Sequence, residues 1–165
     1  MIAATRESTN RKPEKRTSVR VDDVDRRLLD ALRRNGRRSQ EELSELLALS
    51  RPAVRERMRR LEANGVLTRY TIDVNWELLG YPLLAFVRVR TKSGDCRVFA
   101  EQVMELSHEG AAVEACHRIT GKWCLLVKVR ARSSVELEEL LAQIRALPKA
   151  AATATTLALS TLCER

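Results

Sequence analysis

Apolar and polar residues alternate at helical spacing between residues 39 and 64, on both sides of a short hinge, Ala48-Leu49-Ser50. The segment before the hinge begins with Ser39 and, three residues later, Glu42, a pair whose side chains satisfy the free amides of a helix start. The segment after the hinge holds Pro52 in its first turn, where a missing amide proton costs little. Two helices joined by a three-residue hinge predict a helix-turn-helix motif.

A third amphipathic helix precedes this pair, near Asp22 to Asn35, and is expected to complete a three-helix core. Its acidic start and arginine-rich end suit the helix dipole, and Asn35-Gly36 is a stop signal. After the pair, Asn64-Gly65 is a helix C-cap. The strand-forming residues from Val66 to Asp73 predict a small wing, which leads into a linker closed by residues 75–82.

The second half of the chain changes to a mixture of strand and helix periods. The element order predicts a βαββαβ, ferredoxin-like α+β domain, in which both helices cover one face of an antiparallel sheet. The other face includes Leu84 and Phe86 or the residues that alternate with them, which are too apolar for open water, so self-association through the sheet is expected. The predicted elements are strand Leu83–Arg90, helix Arg97–Ser107, strands Val113–Thr120 and Trp123–Ala131, helix Ser134–Leu147 and strand Thr153–Leu162.

The second helix of the helix-turn-helix motif carries an unusual charge pattern. Val54, Met58 and Leu61 follow helical spacing and face inward. This turns Arg51, Arg55 and Arg59 outward and Arg57 and Arg60 partly outward. Guanidinium groups suit phosphate oxygens and also bind guanine edges in a DNA major groove. A basic helix alone is equally consistent with a solvated charged face, but a capped partner helix and a tight hinge favour DNA.

Seven residues of this region are the candidates for DNA contacts. By hypothesis those in the first two turns lie nearest base edges or flanking phosphates, whereas Arg59 and Arg60 bind the DNA backbone. The seven candidates are Ser50, Arg51, Ala53, Arg55, Arg57, Arg59 and Arg60.

Composition agrees with a nucleic-acid partner. The chain has 165 residues, 44% of them hydrophobic, and a formal charge of +8, which favours a polyanion such as double-stranded DNA or RNA over an acidic protein. Residues 1–20 hold six basic and two acidic residues without an apolar period, which predicts a disordered basic tail. No apolar run has the length of a membrane span, so no membrane association and a cytoplasmic, nucleoid-associated location are expected.

Catalytic and metal chemistry find little support in the sequence. Cys116 and His117 are neighbours in a predicted strand, so their side chains point to opposite faces. Cys96, Cys124 and Cys163 lie far apart, no spacing resembles a zinc pattern, and no glycine-rich phosphate loop exists. We expect no enzyme activity, catalytic residue, metal or cofactor, and in a reducing compartment no disulfide.

Several segments, in this order and spacing, resemble the Lrp/AsnC family of leucine-responsive or feast/famine transcriptional regulators. The resemblance runs from about Val21 to Cys163. Its most specific pieces are Val24–Leu29, Gly36–Ser39, Glu42–Ser44, Leu49–Ser50, Val54–Glu62 and Gly65–Tyr70. Leu83–Val89, Cys116-His117 and the turn at Gly121 continue the match into the second domain.

The resemblance implies a DNA-binding domain over residues 21–70, a linker strand over 71–82, and an ACT-like ligand-sensing and oligomerisation domain over 83–165. It also implies homodimers that associate further, up to octamers, and an amino acid or related metabolite as effector. A ligand of this kind acts through unequal affinity for two states of the protein.

Three departures from the family pattern matter. Ala48 and Lys149 stand where the family commonly has glycine. At the turn before the third sheet strand, many members have Gly-Asp-aromatic-Asp-aromatic, whereas this chain has Gly121-Lys122-Trp123-Cys124-Leu125. An effector's ammonium group would lose its carboxylate partners there, while Lys122 would attract a carboxylate. The candidate effector residues are Gly121, Lys122, Trp123 and Cys124.

Two other functions stay open at this point. One is an architectural protein that wraps DNA and senses no effector, which the basic tail and the missing carboxylates favour. The other is a metabolite-binding or enzymatic role for residues 83–163, against which the absence of a catalytic constellation argues.

Overall fold

The computed structural model describes residues 20–92, 96–106 and 108–162. The predicted tail, apart from Arg20, lies outside the described residues, and so does Cys163. The chain forms two compact units that divide between Asp73 and Val74, here called the N-terminal and C-terminal units. In the described part of the chain, no helix has both the length and the apolar character needed to cross a membrane.

Three helices make up the N-terminal unit, and local caps set their ends. The carboxylate of Asp22 accepts a hydrogen bond from the Asp25 amide at 2.7 Å, and the Asp25 carboxylate accepts one from the Asp22 amide at 3.1 Å. Ser39 and Glu42 form a second reciprocal capping box, as predicted. The helices are α1 (Asp23–Arg34), α2 (Gln40–Leu47) and α3 (Arg51–Ala63).

The three helices share one apolar core. Leu28, Leu43 and Val54 have no exposed surface and come from α1, α2 and α3 respectively. The predicted inward face of α3 is confirmed at Val54 and Leu61, while Met58 is only partly buried against this core. Packing of this kind supplies most of the stability of short helices, which are marginal in isolation.

The segment after α3 differs from the prediction. Gly65 adopts φ +67°, its amide donates to the Glu62 carbonyl, and the Val66 amide donates to the Leu61 carbonyl. The helix therefore ends in a Schellman motif, which agrees with the predicted C-cap. Residues 66–73, expected to form a strand of a wing, contain no strand; the amides of Val66 and Leu67 both donate to the Leu61 carbonyl at the end of α3 instead. The hydroxyl of Tyr70 instead donates to Glu62 at 2.9 Å.

The C-terminal unit has the predicted βαββαβ order. Its four strands form one antiparallel sheet in the order β2-β3-β1-β4. The prediction of a ferredoxin-like fold is therefore confirmed. The elements are β1 (Leu83–Thr91), α4 (Cys96–Glu105), β2 (Ala111–Arg118), β3 (Leu125–Ala131), α5 (Ser134–Ala146) and β4 (Ala150–Ala158).

The core of this unit lies between the sheet and its two helices. Alternate residues of the central strands β1 and β3, such as Val87, Val127 and Val129, are fully buried there. From the helices, Val103 of α4 and Ile144 of α5 reach the same cluster. Helix α4 ends at Glu105. The prediction extended this helix to Ser107, which lies outside the described residues.

The bounds predicted for the last strand were wrong at both ends. The strand starts at Ala150, not Thr153, and ends at Ala158, where it pairs with Leu84 near the start of β1. Because β1 begins at Leu83, the ladder of β1 and β4 does not continue beyond this point, and Leu159 and Leu162 are exposed.

The helix-free face of the sheet is less apolar than the sequence suggested. Leu84 is only 7% exposed and Phe86 is partly buried. On the same face Glu114 binds Lys128 at 3.0 Å and Arg130 at 3.3 Å, and the Arg130 guanidinium lies 5.9 Å from the Trp76 ring centre. Self-association through this face stays a prediction.

Candidate nucleic-acid interface and effector turn

A left-handed residue sets the angle between α2 and α3. Ala48 adopts φ 53° and ψ 46°, and its amide and that of Leu49 donate to carbonyls of the last turn of α2. This conformation is strained for alanine, whereas glycine adopts it without strain. The hinge places Ser50 at the N-cap of α3, where its hydroxyl accepts a hydrogen bond from the Ala53 amide at 3.4 Å.

Three of the predicted arginines lie on the exposed side of α3. Arg51 forms an ion pair with Glu41, Arg55 donates to the Gln40 amide oxygen at 3.2 Å, and Arg59 pairs with its helix neighbour Glu56 at 3.0 Å. Exposed pairs of this kind contribute about 0–1 kcal/mol each. A phosphate or a base edge is therefore able to displace these partners at small cost.

The other two arginines turn toward α1. Arg57 binds Asp22 at 2.6 Å and Asp25 at 2.7 Å, and Arg60 binds the second oxygen of Asp25 at 2.6 Å. The side chain of Asp25 has no exposed surface, whereas those of Arg57 and Arg60 are 24% and 43% exposed. The structure thus divides the five arginines: Arg57 and Arg60 tie α3 to α1, whereas Arg51, Arg55 and Arg59 have only exposed partners.

The position of Asp25 between Arg57 and Arg60 was not predicted from the sequence. A signal existed, because Asp25 stands three residues before Leu28 and seven before Leu32, on the apolar face of α1. A carboxylate at a core position requires cationic or hydrogen-bonding partners. Of the two helices of the motif, α3 is the one that carries cationic side chains.

Charge-assisted hydrogen bonds also act on the pKa of Asp22. The pKa of this carboxyl lies below its usual value, first because Arg57 donates to it and second because the Asp25 amide does. The same ion pairs raise the pKa of Arg57. Asp22 and Arg57 are therefore both charged at neutral pH, and their ion pair helps to fix the orientation of α3.

The candidate effector residues form the turn between β2 and β3. The Ile119 amide donates to the Cys124 carbonyl at 3.0 Å, and the Cys124 amide donates to the Val89 carbonyl at 2.9 Å, which joins the turn to β1. Gly121 adopts φ +95°, a conformation that side chains rarely allow. The four residues are thus contiguous in space as well as in sequence.

Cations surround the aromatic ring of this turn. The Arg88 guanidinium lies 5.4 Å and the Lys122 ammonium 5.9 Å from the Trp123 ring centre. Residues 119–125 include no aspartate or glutamate. The turn therefore offers positive charge and an aromatic surface, a combination that suits a carboxylate.

Cys116 and His117 point in opposite directions, as their strand positions predict. Cys116 pairs with Val127 on the helix side of the sheet, and burial raises the pKa of its thiol to about 11. His117 is exposed on the other side. Among the described residues, no group of three or more histidine, cysteine or acidic side chains is placed to hold a metal ion.

Known proteins resemble both units of the chain. The sequence profile of a winged helix-turn-helix DNA-binding domain matches residues 21–68, and that of the Lrp/AsnC ligand binding domain matches residues 84–165. The HTH-type transcriptional regulator FL11 of Pyrococcus abyssi is 32% identical over 143 residues, which cover 87% of this chain and 92% of that protein. The HTH-type transcriptional regulator LrpC of Bacillus subtilis is 31% identical over 121 residues, or 73% of this chain and 81% of LrpC.

A solved structure extends the likeness to three dimensions. The feast or famine regulatory protein from M. tuberculosis, complexed with L-methionine, superposes with a TM-score of 0.78 at 32% identity. The match covers 88% of this chain and 96% of the other. Sequence and fold therefore agree over nearly the whole described chain.

Proposed function

The chain belongs to the Lrp/AsnC family of transcriptional regulators, and from that premise we propose that it binds specific DNA sites through the exposed side of α3. The observation that carries this proposal is the hinge at Ala48, which presents a capped helix with Arg51, Arg55 and Arg59 free to exchange weak partners for DNA. A helix of this kind fits the major groove.

The seven candidate residues receive two roles in this proposal. Ser50, Arg51, Ala53 and Arg55, at the N-terminal end of α3, lie nearest base edges and phosphates, and the positive helix terminus adds attraction for phosphate. Arg59 contacts the DNA backbone. Arg57 and Arg60 orient α3 through Asp25, because reaching DNA would require them to leave a buried carboxylate uncompensated.

Replacement of Arg55 by alanine tests this assignment. If Arg55 binds a base edge, Arg55→Ala weakens binding to the selected site by about 1–3 kcal/mol and relaxes sequence preference at one position. If Arg55 binds phosphate, affinity falls alike for all sequences. Fluorescence anisotropy with the selected site and with scrambled DNA separates the two cases.

The matched control is Arg33→Ala. Arg33 is 74% exposed on α1 and pairs only loosely, at 3.7 Å, with Asp30. Arg33→Ala removes one positive charge, as Arg55→Ala does, but it removes no proposed DNA contact. The affinity for DNA should therefore hardly change. Equal affinities for Arg55→Ala and the parent protein would remove Arg55 from the interface.

We further propose that the protein acts as a homodimer, and that octamers are its larger assembly. Support comes from the helix-free face, where Phe86 is still partly exposed beside the charged pairs of Glu114. A twofold dimer predicts a pseudo-palindromic DNA site with half-sites about one helical turn apart. Sedimentation velocity gives the assembly state, and footprint spacing gives the half-site separation.

The effector is proposed to be an amino acid or a related carboxylate that binds at the turn of residues 121–124. The regulator from M. tuberculosis was solved with L-methionine, and the charges around Trp123 in this chain suit the carboxylate of such a ligand. The turn supplies no carboxylate for an ammonium group. We therefore expect recognition to depend more on the acid group than on the amine.

A thermal-shift experiment with paired ligands tests this expectation. Each L-amino acid is compared with the 2-oxo acid of the same side chain, which keeps the carboxylate and lacks the ammonium. Ligand at about 100 times its dissociation constant should add roughly 2.7 kcal/mol of stability, and Lys122→Gln should weaken both members of a pair. Stabilisation by amino acids alone would show that the ammonium group is the recognised feature.

An architectural role is the second candidate, and the lack of turn carboxylates is the observation that favours it. A protein of this class would protect DNA broadly and ignore every carboxylate tested. Discrete footprints would exclude it.

A further inference from the structure

Two thiols of the C-terminal unit meet at one hydroxyl group. The Thr91 hydroxyl oxygen, at the end of β1, lies 3.8 Å from the Cys96 sulfur and 3.6 Å from the Cys124 sulfur. Cys96 is the first residue of α4, and Cys124 is the last residue before β3. Both side chains are partly exposed and carry free thiols.

The surroundings of Cys124 favour the thiolate, which is the reactive form of cysteine. The pKa of the Cys124 thiol is lowered, first by a hydrogen bond from the Thr91 amide, then by the Thr91 hydroxyl, with further contributions from Cys96 and the charge of Arg118. Cys116 is the opposite case, because burial raises the pKa of its thiol to about 11. The two environments predict selective chemistry at Cys124.

We propose that Cys96 and Cys124 form an intramolecular disulfide when the protein meets a peroxide, so that the effector turn is also an oxidant-sensitive site. The Cys124 thiolate attacks one peroxide oxygen, an S–O bond forms as the O–O bond breaks, and hydroxide leaves, which takes up a proton as water. Cys96 then attacks the sulfenic sulfur, the S–S bond forms as the S–O bond breaks, and a second water leaves. Two thiols lose two electrons and one peroxide gains them.

The location gives this bond a regulatory consequence, which rests on the proposed function. Cys124 is one of the four effector-turn residues, and Cys96 begins a helix that packs on the same sheet. A disulfide would fix the turn to the start of α4 and change its freedom to close on a ligand. Oxidation should therefore alter the response of DNA binding to a carboxylate effector.

Trypsin separates the four cysteines cleanly, which makes the bond directly measurable. Cleavage after lysine and arginine puts Cys96 in fragment 93–97, Cys116 in 98–118, Cys124 in 123–128 and Cys163 in 150–165. The full-length reduced protein is treated with hydrogen peroxide, its remaining thiols are blocked with N-ethylmaleimide, and the digest is analysed by mass spectrometry. We expect fragment 93–97 linked to fragment 123–128, with 98–118 recovered in its blocked form.

Three serine variants complete the experiment. Cys124→Ser should abolish reaction at the pair, Cys96→Ser should leave a dimedone-reactive sulfenic acid on Cys124, and Cys116→Ser should behave as the parent does. Serine differs little in size from cysteine, and thermal unfolding checks that each variant folds. Free thiols at both positions after oxidation, or linkage of Cys124 to Cys116 or Cys163, would overturn the proposal.

DNA binding is measured separately on the same samples. Failure of the reduced protein to bind DNA specifically would count against the proposed function and leave the linked fragments as evidence for the disulfide. Specific binding without linked fragments would refute the disulfide alone.

Discussion

Two non-glycine residues in the described part of the chain, Ala48 and Lys149, hold left-handed backbone conformations, with φ of 53° and 74°. Each stands where the family commonly has glycine, so the departures noted in the sequence carry a structural cost. A side chain in this region costs about 1–2 kcal/mol because the Cβ atom approaches the following carbonyl oxygen. Both positions mark turns that the fold requires, one between α2 and α3 and one between α5 and β4.

Ala48→Gly should therefore stabilise the N-terminal unit by about 1 kcal/mol. Ala63→Gly is the matched control, because Ala63 is an exposed helical residue at the end of α3, where glycine is unfavourable by up to about 1 kcal/mol. Urea unfolding of both variants measures the difference. Destabilisation of Ala48→Gly would show that Ala48 is not strained.

A second residue-scale prediction concerns Asp25. Asp25→Asn keeps the size of the side chain but removes the charge that compensates Arg57 and Arg60, at a cost of about 3 kcal/mol of unfolding free energy. Asp30→Asn, at a side chain 65% exposed and 3.7 Å from Arg33, should change stability by less than about 0.5 kcal/mol. Equal effects of the two substitutions would mean that the buried cluster contributes nothing.

At the scale of single elements, the ends of helices could be predicted because they depend on residues close in sequence. The starts of α2 and α3 were predicted from Ser39 and Ser50, and the end of α3 from Asn64-Gly65, because a cap is made by residues within one turn of the helix end. Strand ends depend on a distant partner. The predicted β4 ran too far because the position where β1 begins determines where β4 stops.

The same distinction applies to the candidate interface. Helical spacing predicted that Arg51, Arg55 and Arg59 lie outward, and the structure places them there. Spacing alone left Arg57 and Arg60 ambiguous, because their orientation depends on the position of Asp25 on a different helix. The contact of Cys96 and Cys124 with Thr91 was equally beyond the sequence, since 28 residues separate the two cysteines.

Two carboxylates of the N-terminal unit, Glu42 in the first turn of α2 and Glu56 in the middle of α3, make this unit sensitive to acid. The pKa of Glu42 is lowered by hydrogen bonds from the Ser39 amide and hydroxyl, and that of Glu56 by Arg59. Because the pKa values are lower in the folded than in the unfolded chain, this stability is fully present above the ordinary value of 4.5 and is lost as the pH falls through the folded values.

Thermal unfolding between pH 7 and pH 2 should show this loss. The melting temperature of the N-terminal unit should stay level down to about pH 5 and fall below it. Glu42→Gln, which keeps an oxygen that accepts the Ser39 amide but does not titrate, should show a smaller fall. A variant whose melting curve follows that of the parent at every pH would contradict the proposed linkage.

At the scale of the whole molecule, the two units divide DNA recognition from sensing. The N-terminal unit supplies an arginine-rich helix on a small apolar core, and the C-terminal unit supplies a ferredoxin-like sheet with a cationic turn. The family to which the chain belongs makes this division expected, whereas the effector chemistry that we propose rests on residues of this chain's own turn. Lys122 and Cys124 replace the two carboxylates of the usual turn, which points to an acid ligand and to thiol chemistry.

The most direct test of this account is selection of genomic fragments by the reduced protein, followed by footprinting with and without a mixture of amino acids and their 2-oxo acids. The account predicts discrete, pseudo-palindromic protected sites with half-sites about one helical turn apart, and occupancy that changes with the mixture. Broad protection that ignores both sequence and every acid in the mixture would contradict it.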